Sequence, residues 1–95
     1  MNQNTPQRST AEWQAADSAH FLHPFTDFQS LAKKGSRIIT HANNIYLWDS
    51  EGHKILDAMS GLWCVNVGYG QQALVDAATR QMKELPFYNA FFQTA

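Results

Sequence analysis

The chain has 95 residues, room for one small domain. Seven basic and eight acidic side chains give a net charge of −1, and Arg8, Lys33, Lys34, Arg37, Lys54, Arg80 and Lys83 are scattered, so no basic stripe exists to hold a nucleic-acid backbone. One cysteine, Cys64, excludes an internal disulfide, no cysteine–histidine cluster suggests zinc, and no apolar run approaches membrane-spanning length.

Met1 to Arg8 is polar and reads as a disordered tail without the apolar h-region of a secretory leader. Together with the single thiol, this sets the expectation of a reducing, cytoplasmic setting. Ser9-Thr10-Ala11-Glu12 is a capping box, in which the serine hydroxyl and the glutamate carboxylate satisfy each other's backbone amides. It predicts a helix over about 10–19 with Trp13, Ala16 and His20 on one face. His23-Pro24 stops that helix, because a residue before proline is pushed out of the helical region. The stretch from Phe25 to Gly35 reads as irregular.

Arg37 to His41 is rich in β-branched residues and predicts a strand. Asn43-Asn44 supplies a turn, since asparagine tolerates positive φ. Ile45 to Trp48 is the second strand, Asp49 to Gly52 a second turn, and Lys54 to Met59 the third strand. Three runs joined by short turns read as an antiparallel meander. A glycine-flanked apolar loop follows, from Gly61 to Gly70, with Trp63 inside it. Cys64 lies beside Leu62, Trp63 and Val65, so an inert, buried thiol is expected. Leu74, Ala78, Met82 and Leu85 then recur at helical spacing over about 71–85, and Pro86 ends that helix. The last ten residues carry Phe87, Tyr88, Phe91 and Phe92. An apolar terminus of this kind calls for a covering surface, so the chain is expected to be the front piece of a larger protein.

Few residues here carry chemistry by their own pattern. His20, His23, His41 and His53 lack the partners of a metal site, and no metal is expected. Ser60-Gly61 is no nucleophile elbow, because Ala58 stands where that motif needs glycine. Gly68-Tyr69-Gly70 opens like a dinucleotide fingerprint but the third glycine is absent, leaving a helix-entry turn as the simpler reading. Lys33, Lys34, Lys54 and Lys83 all look solvated, unlike a lysine tuned in a pocket to form a Schiff base. The aromatics remain, with Trp63 either a core residue or the wall of a site.

Three groups of residues carry a family resemblance. They are Tyr46-Leu47-Trp48-Asp49-Ser50-Glu51-Gly52 with Ile55-Leu56-Asp57, then Gly61-Leu62-Trp63-Cys64-Val65-Asn66-Val67-Gly68-Tyr69-Gly70, and Leu85-Pro86-Phe87-Tyr88-Asn89. Together they resemble the N-terminal part of class III aminotransferases, closest to the ω-amino acid (amine):pyruvate transaminases. His23-Pro24-Phe25-Thr26 also resembles their opening, and the resemblance runs from about Trp13 to Ala95.

The resemblance implies an α+β segment of a larger α/β enzyme of the aspartate-aminotransferase fold. Residues 1–8 would be the tail and 9–95 the small-domain part and start of the interface region, with the large cofactor domain absent. Such enzymes use pyridoxal 5'-phosphate (PLP) to move an amino group from an amine donor to a keto acid such as pyruvate, and are typically homodimers. By resemblance Trp63 lines the substrate pocket, Phe25 sits near its mouth, and Phe91 and Phe92 reach the neighbouring subunit's site. The family's phosphate loop, pyridine-pairing aspartate, Schiff-base lysine and carboxylate-binding arginine map onto no residue here. No catalytic or cofactor-binding residue is therefore expected in this chain, which alone should be inactive. Two alternatives stay open: a stand-alone module that docks a protein partner through its aromatic face, and a non-functional gene product of the same fold ancestry.

Overall fold

The computed structural model describes residues 7–93. The tail residues 1–6, and Thr94 and Ala95, lie outside that range. Four helical segments and one sheet follow in the order α1 (Thr10–His20), α2 (Phe28–Lys34), β1 (Ile39–Asn43), β2 (Tyr46–Asp49), β3 (Lys54–Leu56), α3 (Ser60–Trp63) and α4 (Gln72–Glu84).

Both bonds of the capping box form at the start of α1: the Glu12 amide reaches the Ser9 hydroxyl, and the Ser9 amide donates to Glu12 at 2.7 Å. The Arg8 guanidinium lies 4.9 Å from the centre of the Trp13 ring. At Phe21 the backbone becomes extended, and His23 turns back to bond the Asp17 carboxylate at 2.7 Å.

The stretch expected to be irregular contains α2. Asp27 caps it by accepting from the amides of Gln29 and Ser30, and Gly35 closes it at φ +74. An acceptor before the helix and a glycine after it suffice for seven residues. Lys33 and Lys34 accordingly sit in its last turn, where cations suit the helix dipole, rather than in a loop.

The three strands form the expected antiparallel meander in the order β1-β2-β3. Asn44 turns β1 into β2 at φ +53, and Gly52 sits in the β2–β3 turn at φ +87. The register is Leu47 opposite Ala42 and Ile55, and Trp48 opposite His41 and Lys54, with a bulge at Thr40. Period two then sorts the faces. One carries Ala42, Leu47 and Ile55. The other stacks His41 and Tyr46 against Trp48, with the Lys54 ammonium 4.0 Å from the Tyr46 ring centre. The third strand ends at Leu56, earlier than its composition suggests, because Asp57 turns the chain there.

Helix α1 is tied down by polar contacts. The Thr10 and Ser50 hydroxyls lie 2.6 Å apart, and the Gln14 amide donates to the Ser36 carbonyl. No apolar residue among those described is buried, and α4 leaves Leu74, Val75 and Met82 open on its apolar side. The radius of gyration is 17.5 Å, against about 12 Å for a compact chain of this length. The segment has its secondary structure without a core of its own.

Candidate functional site

After β3 the chain enters an unusual turn. Ser60, Gly61, Leu62 and Trp63 have φ of +50, +60, +77 and +67 in succession. For L-residues each left-handed step costs about 1–2 kcal/mol, and only Gly61 escapes that cost. Backbone bonds close the turn: Leu62 and Trp63 donate to the Met59 carbonyl, Cys64 and Val65 to that of Ser60. The result carries the Trp63 side chain out into solvent, 84 % exposed.

Asp57 holds the start of this turn. Its carboxylate accepts from the Met59 amide at 3.2 Å, the Gly61 amide at 2.9 Å and the Tyr69 hydroxyl at 2.7 Å. Tyr69 closes the loop from the other end. Its backbone pairs with Asn44 in both directions, at 3.0 and 2.8 Å, so the loop is pinned to the β1–β2 turn. Gly68 permits that approach. At φ +85, a Cβ there would lie 2.8 Å from the Asn44 Oδ1 and 3.1 Å from its carbonyl oxygen.

The bond from Tyr69 is the largest influence holding the Asp57 carboxyl below its usual range, opposed by burial and reinforced by the amides of Gly61, Met59 and Ser60. The same bond pushes the Tyr69 hydroxyl up. The two signs define a window. A lowered aspartate contributes stability above its ordinary value of about 4, lost as pH falls through the lowered one. A raised tyrosine contributes below about 10 and loses its share as pH climbs through the raised value. The loop is therefore expected to be ordered from mildly acid to mildly alkaline pH and to loosen at both ends. Near-ultraviolet circular dichroism against pH checks this. Asp57→Asn should remove part of the acid limb, and an unchanged acid limb in that variant would count against the assignment.

The four residues expected at a site come from three separate parts of the chain. Trp63 sits on the left-handed turn. Phe25, at φ +49 between Pro24 and α2, is fully exposed and borders a shallow depression with Thr26, Asp27, Ser30 and Leu31. Phe91 and Phe92 are exposed near the end of the chain, where Asn89 accepts from the Phe91 amide. Among the described residues, none of these four rings pairs with another aromatic ring.

Cys64 corrects an expectation, since its thiol is exposed and donates to the Gly61 carbonyl at 3.2 Å. An apolar neighbourhood in sequence does not bury a side chain where no core forms. Sequence reasoning also missed the Asp57–Tyr69 bond and a second carboxylate lock. Asp49, nearly buried, accepts from the amides of Glu51 and His53 and pairs with the His53 ring at 3.0 Å. Burial works against its charge, but those bonds outweigh it and hold the carboxyl low. Both oxygens are thereby occupied in fixing the β2–β3 turn, although Asp49, Glu51 and His53 lie close enough together to face a cation.

Comparison with known proteins adds to this geometry. Residues 30–95 match the family model described as aminotransferase class-III. Over all 95 residues the chain is 65% identical to the putrescine--pyruvate aminotransferase of Pseudomonas aeruginosa, covering 21% of that protein. A crystal structure of an (S)-enantioselective omega-transaminase from Thermomicrobium roseum superposes with a TM-score of 0.85 at 38% identity, over 93% of this chain and 20% of that one. A thermostable omega transaminase in which a tryptophan was changed to glycine, engineered for asymmetric synthesis of enantiopure bulky amines, gives 0.81 at 34%, over 87% and 18%. The chain spans about a fifth of the length of these relatives.

Proposed function

Since the chain belongs to the class III aminotransferase family, we propose that it is the N-terminal segment of an ω-transaminase that passes an amino group from an amine or ω-amino acid to pyruvate through PLP. The observation that carries this reading is the 65% identity, end to end, with a putrescine--pyruvate aminotransferase. The segment's part is to supply a wall of the substrate pocket and a portion of a homodimer interface, in a cytoplasmic enzyme. The open apolar side of α4 and the exposed Phe87, Phe91 and Phe92 support it, because such surfaces ask to be covered. No helix among the described residues is long and apolar enough to cross a membrane.

Trp63 is the residue best suited to the pocket wall. A tryptophan projected by a pinned turn offers a large rigid face for an amine's apolar part at little entropic cost. The relative in which a tryptophan was changed to glycine for bulky amines supports the same reading. Phe25, Phe91 and Phe92 fit as outer contacts, Phe91 and Phe92 toward the neighbouring subunit.

Class III aminotransferases take PLP, which supplies the electron sink for the transfer. The residues present do not form its cradle. Lys33, Lys34, Lys54 and Lys83 are all exposed, and Lys54 rests on the Tyr46 ring. The segment therefore shapes the substrate side, and the cofactor is held elsewhere in the enzyme.

The test is alanine formation from pyruvate with putrescine as donor. The full enzyme carrying this segment is expected to produce alanine, and the polypeptide of residues 1–95 alone to produce none and to bind no PLP. Turnover by the 95-residue chain, or its absence in the full enzyme, would overturn the reading.

A further inference from the structure

The left-handed turn at Ser60–Trp63 needs an explanation beyond its sequence. Three of its four residues pay the steric penalty of positive φ, and no buried apolar side chain among the described residues supports them. Strain of this kind persists only where surrounding structure over-determines it. The groups that do so are few. The Asp57 carboxylate grips the Gly61 amide inside the turn and the Met59 amide just before it. The Tyr69 hydroxyl, twelve positions on, donates to the same carboxylate and joins the two ends of the loop. The Asn44 bridge fixes the Tyr69 backbone to the sheet, so that hydroxyl has a defined place from which to act.

We infer that Asp57 and Tyr69 form a positioning pair for substrate selection, holding the left-handed turn so that Trp63 stands as a fixed wall. The inference rests on the reading of Trp63 as a pocket residue. Neither member need touch the amine. Both act through the turn, by removing the freedom the indole would otherwise lose on binding. A charged hydrogen bond that closes a loop at both ends is a suitable device, stronger than a neutral one and dependent on geometry.

The experiment uses the full holoenzyme and compares kcat/KM for 1-phenylethylamine with that for putrescine. Tyr69→Phe removes one oxygen and keeps both the ring and the backbone bridge. The aromatic-to-linear ratio is expected to fall about fivefold in this variant, chiefly through KM for the aromatic amine. Asp57→Asn, which keeps one acceptor oxygen and puts a donor in place of the other, should fall by at least as much, and Asp57→Ala further. In a Trp63→Ala background, Tyr69→Phe should have no further effect on the ratio, because nothing is left to position. Equal effects of Tyr69→Phe in both backgrounds would make the pair a general support and overturn the inference. A ratio that responds to Trp63→Ala but not to Tyr69→Phe would overturn it while leaving the Trp63 reading intact. A ratio indifferent to Trp63→Ala would sink the Trp63 reading and this inference with it.

Discussion

Replacing Trp63 with alanine is expected to cost the full enzyme about tenfold to fiftyfold in kcat/KM for 1-phenylethylamine, the equivalent of roughly 1.4–2.3 kcal/mol of lost ring contact. The visible absorbance of the bound cofactor should persist, because the proposed role of Trp63 as a substrate wall gives it no part in holding the cofactor. The same cavity should admit an amine with two large substituents that the parent enzyme rejects, as in the relative engineered for bulky amines. Trp63→Phe, which keeps an aromatic face, should restore most of the loss. Steady-state kinetics on the two donors and an absorbance spectrum decide the matter. Should cofactor and activity disappear together, Trp63 would be a packing residue and not a wall.

The second large effect concerns Gly68. Two glycines share nearly the same backbone angle, Gly52 at φ +87 and Gly68 at φ +85, yet their surroundings differ. A Cβ on Gly52 would meet nothing within 4 Å, whereas one on Gly68 would press on the Asn44 side chain and carbonyl. Gly52→Ala should therefore show the conformational penalty alone, about 1 kcal/mol. Gly68→Ala adds a clash with the Asn44 side-chain oxygen at 2.8 Å and a tight contact with its carbonyl oxygen at 3.1 Å, for a total of about 2–4 kcal/mol. It also separates Tyr69 from Asn44, so donor discrimination should change along with stability. Urea midpoints of the two variants in the full enzyme test the contrast. Equal shifts would mean that the Asn44 bridge is not what makes Gly68 necessary.

Much of the segment can be read directly from its residues. Ser9 and Glu12 announce α1 because a capping box is a local device, complete within four positions. The meander is legible because β-branched runs alternate with Asn44 and Gly52, whose backbone tolerance marks the turns. Helix α2 is harder to see. Its signals, Asp27 before it and Gly35 after, are present, but seven residues give too little periodicity to outweigh the aromatic texture of Phe25 and Phe28. The left-handed turn is harder still. Gly61 hints at it, but Leu62 and Trp63 have no intrinsic reason to adopt positive φ. They do so because Asp57 and Tyr69 meet across twelve positions, and such a meeting leaves no local mark. The case for Trp63 as a site residue came from the family motif around it, since an isolated tryptophan in an apolar loop is as consistent with a core. Cys64 shows the reverse error, in which hydrophobic neighbours suggested burial that a segment without a core does not provide.

The bulge at Thr40 has a consequence of its own. A three-stranded sheet has two outer edges, and each offers a row of free amides and carbonyls to any passing strand. Along β1 the extra residue at Thr40 breaks the regular spacing of that row, and along β3 only three residues are available, beginning with Lys54. Both are ways in which natural sheets discourage strand addition from a neighbour. The meander that anchors the Trp63 loop thus also resists templating a fibril, and resists it most where its ladder is least regular.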